Sequence, residues 1–396
     1  MTPIFKPKEK PSILYIGGFE LPDKNAAAQR VISNAKLFSK LGCKVSFIGI
    51  TIKDYVNNFP AAATSGDFKY YSFSQKYPST LKDWFSFITN IKFVKEVINK
   101  YFANDIDLII AYDYPAISLW KLKNFCKKNK IKLVADATEW YEPQGNILFK
   151  IVKSIDTYIR MRLLLRRVDG VIAISRFLYE FYKQQNTILI PPLIDKTDKK
   201  WAKIEYPNSD VCKLIYVGSP GTGKKDRLDL IISSLARIKV KVKTFSFTII
   251  GLTESEFLIA FPLINIPGEL KECLFFKGKS PHLEAINYIK NSDYSIFLRD
   301  NNRVNSAGFP TKFVESLACG TPVLTNLTSN IDQYLVDGEL GYIIDDNSIQ
   351  TIDSSLVKAI NQDRSHILKM KDTCFNYWGF DYRNFAKELS YFIKKL

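Results

Sequence analysis

The sequence contains little histidine and has none of the cysteine spacings that bind metals. Among 396 residues only two are histidine, His282 and His366. So few imidazoles argue against a histidine-based zinc site and against a Ser-His-Asp hydrolase. The six cysteines are scattered and form no Cys-x-x-Cys pair. Cysteines used in this way favour reduced thiols in a cytoplasmic protein.

Long hydrophobic runs are also missing. The sequence has no run of about 18 apolar residues, which is the length that a membrane-spanning helix needs. The N-terminal stretch MTPIFKPKEKP is basic but lacks the apolar segment of a signal peptide. The sequence therefore predicts neither a membrane span nor a signal peptide.

Acidic residues are in deficit. Lysine and arginine number 56 against 40 aspartate and glutamate residues, which gives a net charge of +16. A charge of this size suits nucleic acid, an anionic membrane surface or a phosphorylated substrate. The lysines are spread along the chain, and no nucleic-acid-binding motif occurs. We therefore expect no nucleic-acid partner, while the other two kinds of partner stay open.

Short apolar strands alternate with amphipathic helices along the chain, which indicates a parallel α/β architecture. The pattern pauses at a polar stretch, residues 196–210, which we interpret as a linker, and then begins again. The last segment, residues 378–396, has the spacing of a helix. Strands are predicted at 12–19, 44–50, 107–112, 132–137, 170–175, 187–195, 213–218, 245–251, 274–278, 294–299 and 321–326, and the helices include 26–42.

The stretch LIYVGSPGTGKKDRLDL, residues 214–230, is close to an ATP-binding P-loop but lacks one part of it. Gly218 to Lys224 spell G-x-x-x-x-G-K, and a P-loop would continue with a Ser or Thr that binds magnesium. Lys225 stands there instead, and it cannot bind a cation. A Gly-rich turn before a helix still suits a phosphate or diphosphate. A solvated turn with surface lysines is the alternative.

Residues 305–326, NSAGFPTKFVESLACGTPVLTN, place a helix from Thr311 to Ala318 between a Gly-Phe-Pro loop and a strand. The N-terminus of such a helix directs its dipole and its N–H groups at an anion. The segment resembles the donor-binding segment of GT-B glycosyltransferases, especially the large retaining family four, whose pattern is E-x7-E-x-x-A-x-G-x-P-V. The matching residues are Glu315, Ala318, Gly320, Pro322 and Val323.

The resemblance implies the α/β fold called GT-B, in which two Rossmann-like domains face a central cleft and a C-terminal helix packs back on the N-terminal domain. Residues 1–195 would form the acceptor-binding domain. Residues 196–377 would form the domain that binds the nucleotide sugar. Residues 378–396 would form the helix that crosses back.

The resemblance also implies roles for individual residues. Lys225 would neutralise the leaving diphosphate and Glu315 would accept hydrogen bonds from the ribose, so these two are the predicted catalytic residues. For Arg299, a structural ion pair is the alternative to a phosphate contact. The predicted donor-binding residues are Gly17, Gly18, Ser219, Lys224, Gly278, Lys279, Arg299, Pro310, Thr311 and Lys312.

The sequence departs from the family pattern at two positions. Ala307 stands where the first Glu of the motif contacts the donor sugar, and Ser219 stands where the family has an Arg. These departures leave the sugar specificity open. Because of them, a non-catalytic GT-B protein that only binds nucleotides stays open as an alternative function.

Four residues of the first domain are predicted to bind the acceptor. Asp136, Glu139 and Trp140 lie at the end of a predicted strand, where open α/β sheets bind ligands, and carboxylates and aromatic faces suit sugar hydroxyls. Arg30, early in the first helix, could face the same cleft. A solvated position for Arg30 and a core position for Trp140 are the alternatives.

Two basic amphipathic segments, residues 81–102 and 150–168, suit an anionic membrane surface. The resemblance implies a lipid-linked acceptor at the cytoplasmic membrane surface, and these segments would then attach the protein to that surface. The alternative is that both segments pack on the Rossmann sheet with solvated basic backs.

Asp105-Ile-Asp107 has the D-x-D pattern that binds metal in the other glycosyltransferase fold. Here the pair precedes a predicted strand, so its carboxylates lie at the amino end of the sheet, away from the ligand-binding edge. We therefore expect no metal and no cofactor, with the nucleotide sugar as a substrate.

Together these features predict a metal-independent glycosyltransferase that moves a sugar from a UDP- or GDP-sugar to a glycan or a lipid-linked saccharide. The resemblance implies retention of configuration and a role in bacterial surface polysaccharide synthesis. The expected location is the cytoplasm, with peripheral attachment to the inner face of the cytoplasmic membrane left open. A P-loop nucleotide hydrolase is the less favoured alternative because of Lys225.

Overall fold

A computed structural model describes residues 11–22, 25–51, 63–74, 85, 88–102, 105–142, 147–206, 209–220 and 225–396. The chain divides into two compact units. Unit 1 comprises residues 1–193 together with 382–396, and unit 2 comprises residues 194–381. The sequence analysis draws its domain boundaries after residues 195 and 377.

Unit 1 is built on a largely parallel sheet. The strands are β1 (Ser12–Gly17), β2 (Lys44–Thr51), β3 (Ala63–Ser65), β4 (Phe68–Ser74), β5 (Leu108–Tyr112), β6 (Lys132–Ala137), β7 (Gly170–Ala173) and β8 (Thr187–Leu189). Their order across the sheet is β3-β4-β2-β1-β5-β6-β7-β8, and β3 pairs with β4 in antiparallel fashion. The seven parallel strands therefore end at one common edge, where such sheets bind ligands.

Unit 2 repeats this plan with a parallel sheet of its own. The strands are β9 (Cys212–Val217), β10 (Phe245–Ile250), β11 (Leu274–Phe276), β12 (Tyr294–Ile296), β13 (Val323–Thr325) and β14 (Gly341–Ile343). Their order is β11-β10-β9-β12-β13-β14, and all neighbouring pairs are parallel. β9, β10 and β11 are adjacent, so the loops that follow them lie side by side.

Helices connect the strands in both units, as right-handed parallel connections require. The helix Ile147–Tyr158 continues without a break into a π-helical turn (Ile159–Leu164) and a 3₁₀ turn (Leu165–Arg167). The helices are α1 (Ala26–Lys40), α2 (Lys92–Tyr101), α3 (Ala116–Lys128), α4 (Ile147–Tyr158), α5 (Arg176–Tyr182), α6 (Leu228–Ile238), α7 (Glu254–Ala260), α8 (His282–Lys290), α9 (Arg303–Ala307), α10 (Thr311–Ala318), α11 (Ile349–Ile360), α12 (Arg364–Phe375) and α13 (Ala386–Lys394).

The core of unit 1 includes the end of the chain. Every residue of β1 is buried, as expected for a central strand covered on both faces. Leu389 and Phe392 of α13 belong to the same apolar core. Gly170, at the start of β7, leaves room for them, since a Cβ there would lie 2.7 Å from the Phe392 ring. The C-terminal helix therefore packs on unit 1, as the fold class predicts.

Residues 196–210 were predicted to be a linker. The part of this stretch that the structure describes, residues 196–206 and 209–210, belongs to unit 2. Trp201 lies in a 3₁₀ turn (Lys199–Trp201) and is 3% exposed. The buried Lys196 ammonium donates a hydrogen bond to the Ala318 carbonyl at 3.0 Å. The linker interpretation of this stretch is therefore wrong, because its Trp201 is buried and its Lys196 is bonded to the last residue of α10.

Other differences from the predicted elements are small. The predicted helix at 378–396 begins later, with a 3₁₀ turn (Tyr382–Phe385) before α13. Strands β3, β4 and β14 are additional to the predicted ones, and β3 and β14 lie at sheet edges. Among the described residues, no helix is both long enough and apolar enough to cross a bilayer. Residues 81–84, 86, 87 and 103–104, in and beside the predicted segment 81–102, lie outside the described part of the chain.

Candidate functional site

Three glycines mark the carboxyl edge of the unit 2 sheet. Gly218, Gly251 and Gly278 follow β9, β10 and β11. The Gly218 N–H donates to the Ile250 carbonyl at 2.8 Å, and the Gly251 N–H donates to the Gly278 carbonyl at 2.7 Å. A Cβ on Gly251 would lie 2.2 Å from the Gly218 carbonyl oxygen. Backbone thus packs directly on backbone at this edge, so that no residue with a Cβ could replace Gly251 without displacing it.

A buried carboxylate gathers two cations beside Gly218. Asp226 accepts hydrogen bonds from Lys312 Nζ at 2.5 Å, from Arg299 Nε at 2.7 Å and from the Tyr216 hydroxyl at 2.7 Å. The Asp226 side chain is 3% exposed, and the Lys312 side chain is 11% exposed. Lys312 Nζ also lies 3.9 Å from the centre of the Tyr216 ring. With two cations and one carboxylate, the cluster keeps one net positive charge.

The electrostatics of this cluster follow from burial and ion pairing. Burial acts to raise the pKa of Asp226, but Lys312 and Arg299 outweigh it and hold that pKa well below its ordinary value. Burial lowers the pKa of Lys312, and Asp226 opposes this effect. The ionised state of Asp226 is therefore stabilised by Lys312 and Arg299, and the charged state of Lys312 is stabilised by Asp226.

Helix α10 brings its N-terminus to the same place. Pro310 is the N-cap residue and gives no side-chain cap, so the first N–H groups of the helix can serve a ligand. Thr311 and Lys312 form the first turn, and Glu315 follows one turn later. Burial raises the pKa of Glu315 to about 7, against the opposing charges of Lys200 and Lys312. The sequence predicted this helix with the same bounds.

The other predicted residues of unit 2 lie around the cluster or outside the described chain. Ser219 is exposed directly after Gly218, and Lys279 is exposed directly after Gly278. Lys225 is half-buried, and its N–H donates to the Pro220 carbonyl at 3.0 Å. Lys224 lies outside the described residues. The roles of these residues toward a donor stay predictions.

Sequence reasoning missed Asp226, the residue at the centre of the cluster. Its signal was its place directly after Lys225 in the turn before α6. Nothing local linked it to Arg299 or Lys312, which lie 73 and 86 residues further along the chain. The structural ion pair considered for Arg299 does form, and its partner is Asp226.

In unit 1, the two predicted glycines have different surroundings. Gly17 ends β1 next to β5, and a Cβ there would lie 2.7 Å from Tyr112 Cβ. Strand packing alone therefore requires Gly17. Gly18 is exposed, and a Cβ there would meet no atom within 4 Å. Its backbone N–H lies where a ligand can approach.

Arg30 and Asp136 require a correction. Both side chains are almost completely buried, and they form a salt bridge of 2.6 Å between Arg30 Nη2 and Asp136 Oδ1. Arg30 Nη1 also donates to the Ile190 carbonyl at 3.0 Å, and the Tyr15 hydroxyl donates to Asp136. These groups satisfy one another inside unit 1. The prediction that they contact an acceptor is therefore wrong for the structure as described.

Trp140 also lies inside unit 1. It is 7% exposed, and its ring meets the Phe181 ring edge to face at 5.2 Å. The Arg162 guanidinium lies 5.8 Å from the Trp140 ring centre. The core position considered for Trp140 is the one observed. Glu139 is partly exposed beside it, and its role toward an acceptor stays a prediction.

A second charged cluster, which sequence reasoning missed, lies at the carboxyl edge of the unit 1 sheet. Asp113 directly follows β5 and has a φ of 43°, a left-handed conformation that is uncommon for a residue with a side chain. Its carboxylate lies 3.7 Å from Arg160 Nη1 and accepts hydrogen bonds from the Thr138 N–H and hydroxyl. Burial raises its pKa to about 6, against the opposing Arg160 charge. Backbone strain and a shifted carboxyl pKa are both common at functional sites. This edge is therefore the candidate acceptor site of unit 1.

Asp107 of the D-x-D pair has a structural role at the opposite edge. Asp107 Oδ2 accepts a hydrogen bond from the Ser12 N–H at 2.8 Å, which joins the amino ends of β5 and β1. Asp293 makes the same contact with the Lys213 N–H in unit 2. Within the part of the chain that the structure describes, no group of three or more His, Cys, Asp or Glu residues could hold a metal ion.

Two parallel-sheet Rossmann-like units, with a C-terminal helix that returns to the first, define the GT-B class of glycosyltransferases. The family described as glycosyl transferases group 1 matches residues 199–372, so this part of the chain, which lies within unit 2, belongs to that family. The resemblance carried by residues 305–326 is thereby confirmed, and the chain is a glycosyltransferase.

The relatives agree in fold. The chain is 22% identical over 317 residues to an uncharacterized glycosyltransferase of Methanocaldococcus jannaschii, a match that covers 76% of this chain and 75% of that protein. The sucrose-phosphate synthase of Thermosynechococcus elongatus superposes with a TM-score of 0.73 at 13% identity, covering 98% and 99% of the two chains. Anabaena HepE in complex with UDP and glucose has a TM-score of 0.61 at 13% identity, covering 97% and 100%.

Proposed function

We propose that the chain transfers a sugar from a nucleotide-sugar donor, bound by unit 2, to a glycan or a lipid-linked saccharide, bound by unit 1. The observation that carries the proposal is the cluster at the carboxyl edge of the unit 2 sheet. There the N-terminus of α10, Lys312 and Arg299 lie beside Gly218, and Glu315 follows one turn along the helix. The cluster joins phosphate-binding groups to a carboxylate that suits a ribose.

The chemistry of the cluster suits a leaving diphosphate. When the bond between the sugar and the diphosphate breaks, negative charge develops on the phosphate oxygens. The net positive charge of the cluster and the helix N–H groups stabilise that charge without a metal ion. If configuration is retained, the departing phosphate takes the acceptor proton, so that no separate protein base is needed. Lys225 would add to the phosphate contacts.

The comparisons support a narrower form of the proposal. The Anabaena structure holds UDP and glucose, which favours a UDP-sugar as donor, with a GDP-sugar as the alternative. The acceptor would be an intermediate of bacterial surface polysaccharide synthesis, at the inner face of the cytoplasmic membrane. The partly exposed Glu139 and the chain around Asp113, at the carboxyl edge of the unit 1 sheet, would contact this acceptor.

A transfer assay tests the proposal. Purified protein is incubated with UDP- or GDP-sugars and candidate saccharides, in EDTA and in Mg²⁺, and nucleoside diphosphate release and the glycosylated product are measured by chromatography. We expect transfer that EDTA does not abolish. Transfer in Mg²⁺ alone would refute metal independence, and hydrolysis of ATP without sugar transfer would favour the P-loop alternative.

Two substitutions test the predicted catalytic residues. Glu315→Ala and Lys225→Ala should each lower the transfer rate by roughly a hundredfold or more, since groups that meet developing charge contribute effects of this size. Lys358→Ala is the matched control, because Lys358 is an exposed lysine of unit 2 that forms an ion pair with the exposed Asp337. Wild-type rates in both variants would refute the assignment.

A non-catalytic scaffold is the second candidate function. Ala307 is completely buried, so no side chain at that motif position can contact a donor sugar. A scaffold would bind UDP or GDP as tightly as an enzyme does, but it would release no sugar from any donor tested.

A further inference from the structure

The outer face of α4 carries a row of exposed apolar side chains. Ile147, Ile151, Ile155 and Tyr158 are 75%, 51%, 53% and 56% exposed. Their spacing of four, four and three residues places them on one face of the helix. Single exposed apolar residues are common on proteins, but a continuous row along three helical turns is a patch that marks an interaction site.

Positive charge surrounds this row. The single acidic residue between positions 147 and 168, Asp156, is half-buried, and its carboxylate accepts a hydrogen bond from the Ala116 N–H at 2.8 Å. Lys150, Arg162 and Arg167 are exposed. The basic residues of the segment are Lys150, Lys153, Arg160, Arg162, Arg166 and Arg167.

A neighbouring helix also exposes an aromatic side chain. Helix α3 packs against α4 and its π-helical continuation. Trp120 of α3 is 53% exposed. Trp and Tyr side chains favour the boundary between lipid chains and headgroups, because their rings are apolar and their tips are polar.

The same helical segment reaches the acceptor-side cluster with its other face. Arg160, on the π-helical turn after α4, is buried and donates to the Asp113 carbonyl at 3.3 Å and to the Glu139 carbonyl at 3.2 Å. Whatever binds the outer face of α4 is therefore one helix diameter from the candidate acceptor site.

We propose that unit 1 docks on an anionic lipid bilayer through the α4 surface, defined as Ile147, Ile151, Ile155 and Tyr158 with the flanking Lys150, Arg162 and Arg167. A protein partner is less well matched, because the exposed charges of residues 147–168 are all positive, which suits a uniformly anionic surface better than the mixed charges of a protein. An apolar row edged with Lys and Arg and accompanied by Tyr and Trp is the composition of helices that lie in the bilayer interface. The inference rests on the proposed function for its purpose, since the bilayer would present a lipid-linked acceptor.

Vesicle sedimentation tests this docking. The full chain is mixed with vesicles of phosphatidylcholine alone or of phosphatidylcholine with phosphatidylglycerol, at low and at high NaCl. We expect binding to the anionic vesicles that salt weakens. The Ile151→Asp/Ile155→Asp variant should lose at least roughly tenfold in vesicle affinity, because each aspartate removes buried apolar area and adds repulsion.

The matched control is Ile259→Asp/Leu263→Asp. These two residues of unit 2 are 80% and 96% exposed, so their substitution changes hydrophobicity and charge equally on another surface. The control should bind vesicles like the wild type. Absence of wild-type binding to anionic vesicles, or equal losses in both double variants, would overturn the proposal. So would a wild-type dimer in sedimentation equilibrium that Ile151→Asp/Ile155→Asp dissociates, since a second copy would then be the occupant.

The test separates this proposal from the proposed function. UDP and GDP affinity, measured in the same variants by calorimetry, should not change, because the substitutions lie in unit 1. Vesicle binding without any sugar transfer would refute the enzymatic proposal and leave the docking surface intact. Transfer to a water-soluble saccharide without vesicle binding would do the reverse.

Discussion

Asp226 holds both cations of the candidate donor site in place. The Asp226→Asn substitution would keep the size of the side chain and remove its charge, leaving Lys312 and Arg299 buried without their shared counterion. We expect the free energy of unfolding to fall by about 3 kcal/mol, the size found when one partner of a buried ion pair is removed. Denaturant unfolding at pH 7 measures this change.

The pH dependence of the same variant provides a second readout. The pKa of Asp226 is lowered in the folded protein, so its stabilising effect exists above the ordinary pKa of about 4 and is lost as the pH falls below that value. The Asp226→Asn variant should lack this acid-side loss. Asp229→Asn is the control, since its partner Arg227 is more exposed and the expected change is about 1 kcal/mol or less. Equal losses in both variants would contradict the central place of Asp226.

The raised pKa of Glu315 leads us to expect that donor binding depends on pH. A carboxylate accepts hydrogen bonds from ribose hydroxyls with both oxygens only when it is ionised, and burial raises its pKa to about 7. UDP or GDP affinity should therefore rise between pH 6 and pH 8, by roughly threefold to tenfold. Calorimetry across this range should give a flat profile for Glu315→Gln, and an equally steep profile there would assign the titration to another group.

The sign of the stability effect of Glu315 is opposite to that of Asp226. Because its folded pKa lies above the model-compound value of 4.5, the folded protein keeps a proton that the unfolded chain releases between about pH 4.5 and pH 7. The free energy of unfolding contributed by Glu315 therefore falls as the pH rises through this window. Glu315→Gln should melt at a higher temperature than the wild type at pH 8 and close to it at pH 4.5.

At the scale of elements, the loop after β9 depends on a glycine. Gly218 has a φ of 135°, and a Cβ there would lie 3.1 Å from Lys312 Nζ. Gly218→Ala should therefore strain the loop, displace the ammonium group and lower nucleoside diphosphate affinity by roughly tenfold. Gly338→Ala is the control, since Gly338 has a φ of 79° but open space around it. A Gly218→Ala variant with wild-type affinity would place the diphosphate away from this turn.

Elements with a strong local signal could be predicted, and elements defined by their partners could not. The apolar run KLVADA is β6, and α10 has its Pro before the first turn and Gly320 after the last, so both have their predicted bounds. The short strands β3 and β14 contain three residues each. Their sequences, ATS and GYI, are too short to show an alternation of their own. The three-residue strands β12 and β13 could be predicted because they lie within longer strand-like stretches, residues 294–299 and 321–326.

The site illustrates the same limit. The sequence analysis brought together Pro310, Thr311, Lys312 and Glu315 because they share one helix with a recognisable motif. Asp136 was predicted at an open edge because of its position in β6, and Arg30 was predicted beside the same cleft. Nothing local in the sequence showed that Arg30, 106 residues earlier, forms a salt bridge with the Asp136 carboxylate. Tertiary partners decide whether a polar residue near a strand end faces a ligand or the protein interior.

At the scale of the whole molecule, the C-terminal helix completes the apolar core of the N-terminal unit. Phe392 is 3% exposed in the core of unit 1, although the 188 residues of unit 2 precede it. Phe392→Ala should lower the stability of unit 1 by about 3 kcal/mol or more and leave the affinity of unit 2 for UDP or GDP unchanged. Hydrogen exchange of the unit 1 strands, with calorimetry, measures both. Tyr391→Ala is the control because Tyr391 is 64% exposed.

The most direct test of the account is a calorimetric titration of UDP and GDP in EDTA, with wild-type protein and the Lys312→Ala variant. The account predicts that one of the two nucleotides binds the wild type without metal and that Lys312→Ala binds it at least roughly tenfold more weakly, while Lys358→Ala does not change the affinity. The account is contradicted if neither nucleotide binds in EDTA, or if a folded Lys312→Ala variant binds as tightly as the wild type.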